Sequence, residues 1–169
     1  QNMKLLSTIC LFSLSLFLMS ASSTEDLGVL PSYKVKTLKG QEVDIADFGK
    51  NGKPTIIAFW ATWCKPCLSE LNAIADYYED WQDDYDVELV AVSLDNQRTA
   101  PKVKGVVNSL GWDYEVLLDV NGESYRKFNF PTPPYLVLVD AEGKIQYKHS
   151  GYLPGSEEEV EEKLIEITE

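Results

Sequence analysis

Phe59-Trp60-Ala61-Thr62-Trp63-Cys64-Lys65-Pro66-Cys67 is the stretch around which the chain is organised. An apolar run, Thr55 to Phe59, leads into it, and an amphipathic helical pattern follows it. Two cysteines with two residues between them therefore stand where a strand hands over to a helix. At that position unpaired backbone N–H groups and the helix dipole stabilise a thiolate, which is the reactive form of cysteine.

Working outward, apolar residues after Cys67 fall at Leu68, Leu71, Ile74, Ala75, Tyr78 and Trp81. That is helical spacing over about four turns, and the acids Glu79, Asp80, Asp83 and Asp84 give it a solvated face. Upstream, Thr55–Trp60 is a continuous apolar run, as a strand buried on both faces requires. Asn51-Gly52-Lys53-Pro54 is a loop by composition, and Ala46 to Lys50 a short helical turn. Tyr33 to Ile45 alternates on both sides of Lys39-Gly40, the pattern of a β-hairpin. Downstream, Val87 to Leu94 and Tyr135 to Val139 are two more buried strands, with a short one at Tyr114 to Leu118. Thr99 to Leu110 is a helix that Gly111 stops and whose first turn accepts Pro101. Glu123 to Phe128 is a short helix, Ala141-Glu142-Gly143 a turn, Lys144 to His149 a polar edge strand, and Glu157 to Ile167 a terminal helix. The order predicts an α/β fold with a mixed central sheet flanked by helices.

The 169 residues suffice for one domain with a single core. The formal net charge is −12. This argues against nucleic-acid binding, which relies on clustered Lys and Arg, and against a polybasic membrane-surface module. Met3-Lys4, an apolar segment from Leu5 to Met19 and the small residues Ser20 to Ser23 have the three parts of a secretory signal peptide. An uncleaved membrane anchor is the rival reading, against which the run is shorter than the roughly 20 residues of a spanning helix. The expected organisation is a leader over 1–23, a flexible lead-in over 24–32 and one domain over 33–169.

Without the leader, Cys64 and Cys67 are the only cysteines. Small secreted domains use many cysteines as staples, but this pair closes too short a loop to constrain the unfolded chain much. Chemistry is the better reason for it. A metal site needs a further pair of ligands. The only histidine, His149, stands far along the chain and reads as a solvated residue at a strand end. No metal and no cofactor are expected.

The motif with its flanks resembles the active-site segment of the thioredoxin superfamily. The N-terminal hairpin, the leader, the long segment between Ser93 and Phe128, and Pro134-Tyr135-Leu136-Val137-Leu138-Val139-Asp140 narrow the resemblance. Together they are similar to the TlpA/ResA-like extracytoplasmic thiol–disulfide oxidoreductases, over Tyr33 to Ile167. The resemblance implies a thioredoxin-like fold with an N-terminal β-hairpin and a central insertion. It also implies Cys64 and Cys67 as the redox pair, Pro134 as the cis-proline beside it, and Glu70 as an acid near the cysteines. Two positions depart from the pattern. Ala58 stands where thioredoxin has a buried Asp, and Pro133 precedes the cis-proline candidate.

On this reading Cys64 is the attacking thiolate and Cys67 resolves the mixed disulfide. Lys65 favours the thiolate locally against the acidic protein field, which is screened within about 8–10 Å. Glu70 is a proton shuttle or tuner for Cys67. Trp63 shields one side, and a substrate's extended chain lies along Thr132 and Pro133, although Pro133 has no N–H to donate. The implied partners are disulfide-bearing envelope proteins and an upstream electron donor such as a membrane thiol reductase. The implied compartment is periplasmic or extracytoplasmic and the implied state a monomer. Oxidases and isomerases share the motif. A peroxiredoxin-type peroxidase places its cysteine behind Pro-x-x-x-Thr, which is absent before Cys64. A redox-inactive binding domain is the reading from another class, and two intact cysteines weigh against it.

Overall fold

The computed structural model describes residues 26–169, so the expected leader lies outside the described residues. Seven strands form one mixed sheet in the order β2-β1-β5-β4-β3-β6-β7. The strands are β1 (Lys34–Thr37), β2 (Glu42–Asp44), β3 (Thr55–Trp60), β4 (Glu88–Ser93), β5 (Glu115–Leu118), β6 (Tyr135–Val139) and β7 (Ile145–Ser150). Helix α1 (Lys65–Tyr85) joins β3 to β4, α2 (Val103–Leu110) joins β4 to β5, and α3 (Glu123–Phe128) precedes β6. Helix α4 (Ser156–Thr168) ends the chain. The two helical crossovers leave β3, β4 and β5 parallel, whereas the short turns give the antiparallel pairs β1–β2 and β6–β7. Among the described residues no helix is long and apolar enough to cross a membrane.

β3 is central and every residue in it is buried. Its side chains alternate between two cores, as the period of a strand dictates. Ile56, Ala58 and Trp60 face α1, α2 and α4, while Ile57 and Phe59 face Ile45, Leu30 and the aromatic residues near α3. The acids of α1 at positions 79, 80, 83 and 84 are exposed, and Ile74, Tyr78 and Trp81 are buried. The expected helix from Thr99 begins as a 3-10 turn over Ala100–Lys102 and ends at Gly111, whose φ of 70° closes α2.

One expectation is corrected. Residues 26–32, read as a flexible lead-in, are docked on the sheet. Val29 bridges Lys144, Leu30 donates its N–H to the Gly143 carbonyl at 3.2 Å, and Ile145 donates to the Gly28 carbonyl at 2.8 Å. Leu30 fills a place in the core, so burial of its side chain offsets the entropy of ordering the segment. The docking also brings two glycines together. A Cβ on Gly143 would stand 2.5 Å from the Gly49 oxygen, and one on Gly49 would stand 2.9 Å from the Gly143 Cα. Gly143 has a φ of +83° and Gly52 a similar φ of +78°, but a Cβ on Gly52 would meet open space. Gly52→Ala should therefore cost only the left-handed backbone penalty of about 1–2 kcal/mol. Gly143→Ala should cost that and about 1–3 kcal/mol more for the overlap. Urea denaturation of both variants checks the difference.

Candidate active site

β3 delivers the chain to the top of the sheet, and α1 begins five residues later at Lys65. Cys64 is the N-cap of α1, with φ −95° and ψ 94°. Its sulfur occupies the place that a capping Ser or Asp oxygen takes, and accepts the Cys67 N–H at 3.3 Å. Pro66 fits this first turn because it brings no N–H to leave unpaired. Cys64 is also held from behind by its own N–H, which donates to the Ala61 carbonyl at 3.0 Å. The two cysteines form a disulfide. Cys64 is 5% exposed and Cys67 is fully covered. Trp63 stands 57% exposed directly before Cys64.

The loop that carries Cys64 is clamped by a residue that the sequence reading passed over. Asp95 follows β4, is fully buried, and accepts both the Thr62 N–H at 2.8 Å and the Thr62 hydroxyl at 2.7 Å. Ser93 donates its hydroxyl to the same carboxylate at 3.0 Å. Parallel pairing of Trp60 with Ser93 brings the two strand ends level, so the residues just beyond them meet. A Ser-x-Asp at the end of a buried strand was the available signal.

The proline loop leads into β6, whose first residue Tyr135 pairs with Phe59 near the end of β3 from which the cysteine loop departs. The Pro133–Pro134 bond is cis, in agreement with the choice of Pro134. Pro133 and Pro134 are buried and Thr132 is exposed, so of these three the threonine is the one that presents its surface to solvent. Phe130 and Tyr135 flank the loop and stack at 4.5 Å between ring centroids, on a floor made by Phe59.

Glu70 lies on α1 one turn after Cys67 and is 2% exposed. Burial raises its carboxyl above the ordinary value of 4.5, opposed by the hydrogen bond and charge of His149. His149 is not a solvated end residue, which corrects the sequence reading. Its Nε2 lies 2.8 Å from Glu70 Oε1, and its Nδ1 lies 3.1 Å from the Tyr147 hydroxyl. The alternation Tyr147-x-His149 carried that signal, since it puts both on one face of β7, whereas Ile145, across a bulge, packs in the other core. Ala58, in the position of the absent Asp, is buried beneath the site and supplies no carboxylate. Among the described residues no three His, Cys, Asp or Glu side chains stand together as a metal site would need.

Residues 28–148 match the AhpC/TSA family. Over 138 residues the chain is 31% identical to the thiol-disulfide oxidoreductase ResA of Bacillus thuringiensis subsp. konkukian, covering 82% of this chain and 76% of that protein. The solution structure of an uncharacterized thioredoxin-like protein from Porphyromonas gingivalis is similar at 46% identity and a TM-score of 0.74, covering 82% of this chain and 91% of that one. The crystal structure of StoA from Bacillus subtilis is similar at 27% identity and a TM-score of 0.63, covering 80% and 98%.

Two outcomes follow from this geometry. Asp95→Ala leaves the Thr62 N–H and hydroxyl without an acceptor, and should lower stability by roughly 2–3 kcal/mol in denaturant unfolding. Because Glu70 holds its proton more tightly folded than unfolded, its contribution is fully present below the unfolded value of about 4.5. It is lost as pH rises through the raised folded value. The stability of the native protein relative to Glu70→Gln should therefore fall as pH rises from about 4.5, which unfolding at stepped pH checks.

Proposed function

The chain belongs to the AhpC/TSA family, and we propose that within it this protein is a thiol–disulfide oxidoreductase that reduces protein disulfides outside the cytoplasm. The observation that carries the reading is the sulfur of Cys64 at the N-cap of α1, with the Cys67 N–H aimed at it. A thiolate there gains a charge-assisted hydrogen bond and the positive end of a helix of 21 residues. Lys65 adds a positive charge at the next position.

Starting from the dithiol, the Cys64 thiolate attacks one sulfur of a target disulfide. The target's S–S bond breaks, its other sulfur leaves as a thiolate and takes a proton, and a Cys64–target disulfide forms. Cys67 then loses its proton and attacks Cys64 Sγ. The second target sulfur leaves, and the Cys64–Cys67 disulfide remains. Two electrons and two protons reach the target, and an upstream thiol donor must restore the dithiol. The covered state of Cys67 suits this order, because a partner meets Cys64 first.

The names of the ResA and StoA relatives support the reaction class. The apolar leader supports secretion, and the acidic surface suits disulfide-bearing envelope proteins better than nucleic acid as partners. Thr132 and the exposed Trp63 are the two flanks along which an extended segment of such a protein would lie.

Reduced protein should turn over insulin disulfides with dithiothreitol as donor. Cys64→Ser should abolish this, and Cys67→Ser should accumulate the mixed disulfide. The potential of the pair should lie towards the thioredoxin end of the scale, about −270 mV, and a value near about −120 mV would reject the reducing direction.

A further inference from the structure

Glu70 is a buried carboxylate one helical turn from Cys67, on the same covered face of α1. Its one side-chain hydrogen-bond partner among the described residues is His149. Around this pair Ile74, Tyr152 and Val160 close in and leave no space for a water molecule. A proton arriving on Glu70 therefore meets no solvent there. His149 has a second neighbouring space. It borders an open cleft of about 290 Å³ lined by Ser150, Gly151, Tyr152, Leu153 and Glu159. The His149 side chain, 15% exposed, thus stands between a dry carboxylate and a wet cleft.

We propose that His149 is a proton relay that passes the proton released by Cys67 from Glu70 to the cleft between β7 and α4. The proposal rests on the thiol–disulfide reading above and extends it. The role is a positioning one, since His149 acts through Glu70 and not on the sulfurs. When Cys67 resolves a mixed disulfide, its S–H bond breaks and the proton goes to the Glu70 carboxylate. The sulfur's electron pair forms the bond to Cys64 Sγ, the bond from Cys64 to the target breaks, and the target thiolate leaves with that pair. The Glu70 proton is shared with His149 Nε2, and the imidazole releases one from Nδ1 to the Tyr147 hydroxyl, whose own proton passes to the Glu159 carboxylate at the cleft. Re-reduction runs the same path in reverse.

The titratable groups facing the pair fit this direction. Cys67 lies one turn before Glu70 on α1, Tyr147 stands beside His149 on β7, and Tyr152, Glu157 and Glu159 come from α4 and the turn before it. The Glu159 carboxylate lies against the Tyr147 hydroxyl, and Glu157 against that of Tyr152. Negative charge at the cleft mouth draws a proton outward, while Glu70 is the acceptor at the inner end. No cation among the described residues is salt-bridged to Glu70 apart from His149 when protonated.

The test separates the two thiol steps in the full chain, with oxidised glutathione as the disulfide and acid quenching to count released glutathione. His149→Gln keeps an amide beside Glu70 but cannot carry a proton. It should slow resolution by Cys67 by about tenfold or more at neutral pH. The pH profile of that step should change shape relative to the parent, while attack by Cys64, read in the Cys67→Ser background, stays within about twofold. His149→Gly opens onto the cleft, and added imidazole should restore resolution. Unchanged resolution in His149→Gln, or equal slowing of both steps, would overturn the relay. Failure of imidazole to rescue a folded His149→Gly would do the same. Should the glycine variant not fold, the profile of the glutamine variant decides. Absence of Cys64 attack in the parent chain would instead overturn the oxidoreductase reading itself.

Discussion

The hydrogen bond from the Cys67 N–H to Cys64 Sγ is the interaction on which the site depends. It exists only if the helix begins at the residue after Cys64, and that boundary is enforced from several directions. Pro66 can occupy a first turn but not an interior one. β3 ends at Trp60 because Asp95 captures Thr62 and turns the chain away from the sheet. The length of α1 and the burial of Leu71, Ile74, Tyr78 and Trp81 then fix its axis against the sheet, so its N-terminal amides stay aimed at one point. A reactive thiolate in a strongly acidic protein is reasonable for this reason. The amide contact is local and unscreened, whereas the distributed surface charge is damped by salt.

Most of the fold was legible in the sequence because its signals are local. Thr55–Trp60 has no polar break, and its full burial agrees with that pattern. Gly111 stops α2, and the run around Lys39-Gly40 makes a hairpin. Cys64, Cys67 and the choice of Pro134 also came from contiguous motifs. The residues that escaped act across the sheet. Asp95 serves Thr62 from a neighbouring strand, and His149 serves Glu70 from the sheet edge, far away in the chain. Neither pairing has a periodicity, so each was given the default reading of its residue type. The segment 26–32 escaped for a related reason. Leu27, Val29 and Leu30 are apolar, but their partners at 143–145 come from the other end of the domain.

The two sides of α1 at the site are built differently. Towards the Thr62 loop, a buried carboxylate accepts hydrogen bonds from Thr62 and Ser93, which makes it a structural clamp. Towards β7, a second buried carboxylate has a single titratable partner. The first kind of site holds geometry and the second can change its proton count. Placing them on opposite sides of one cysteine pair separates the demand for a rigid loop from the demand for a movable proton.

The close approach of Gly49 and Gly143 bears on how the chain comes to be assembled. A ribosome releases residues 28–30 first, but their docking surface is the turn between β6 and β7, near the end of the chain. That segment must therefore wait, with Leu30 uncovered, until almost all of the rest has emerged. Closure is a late event of high sequence separation, the kind that slows folding and leaves apolar surface open to other chains meanwhile. A domain built this way gains from a holding chaperone during synthesis more than one whose first residues fold on their immediate neighbours.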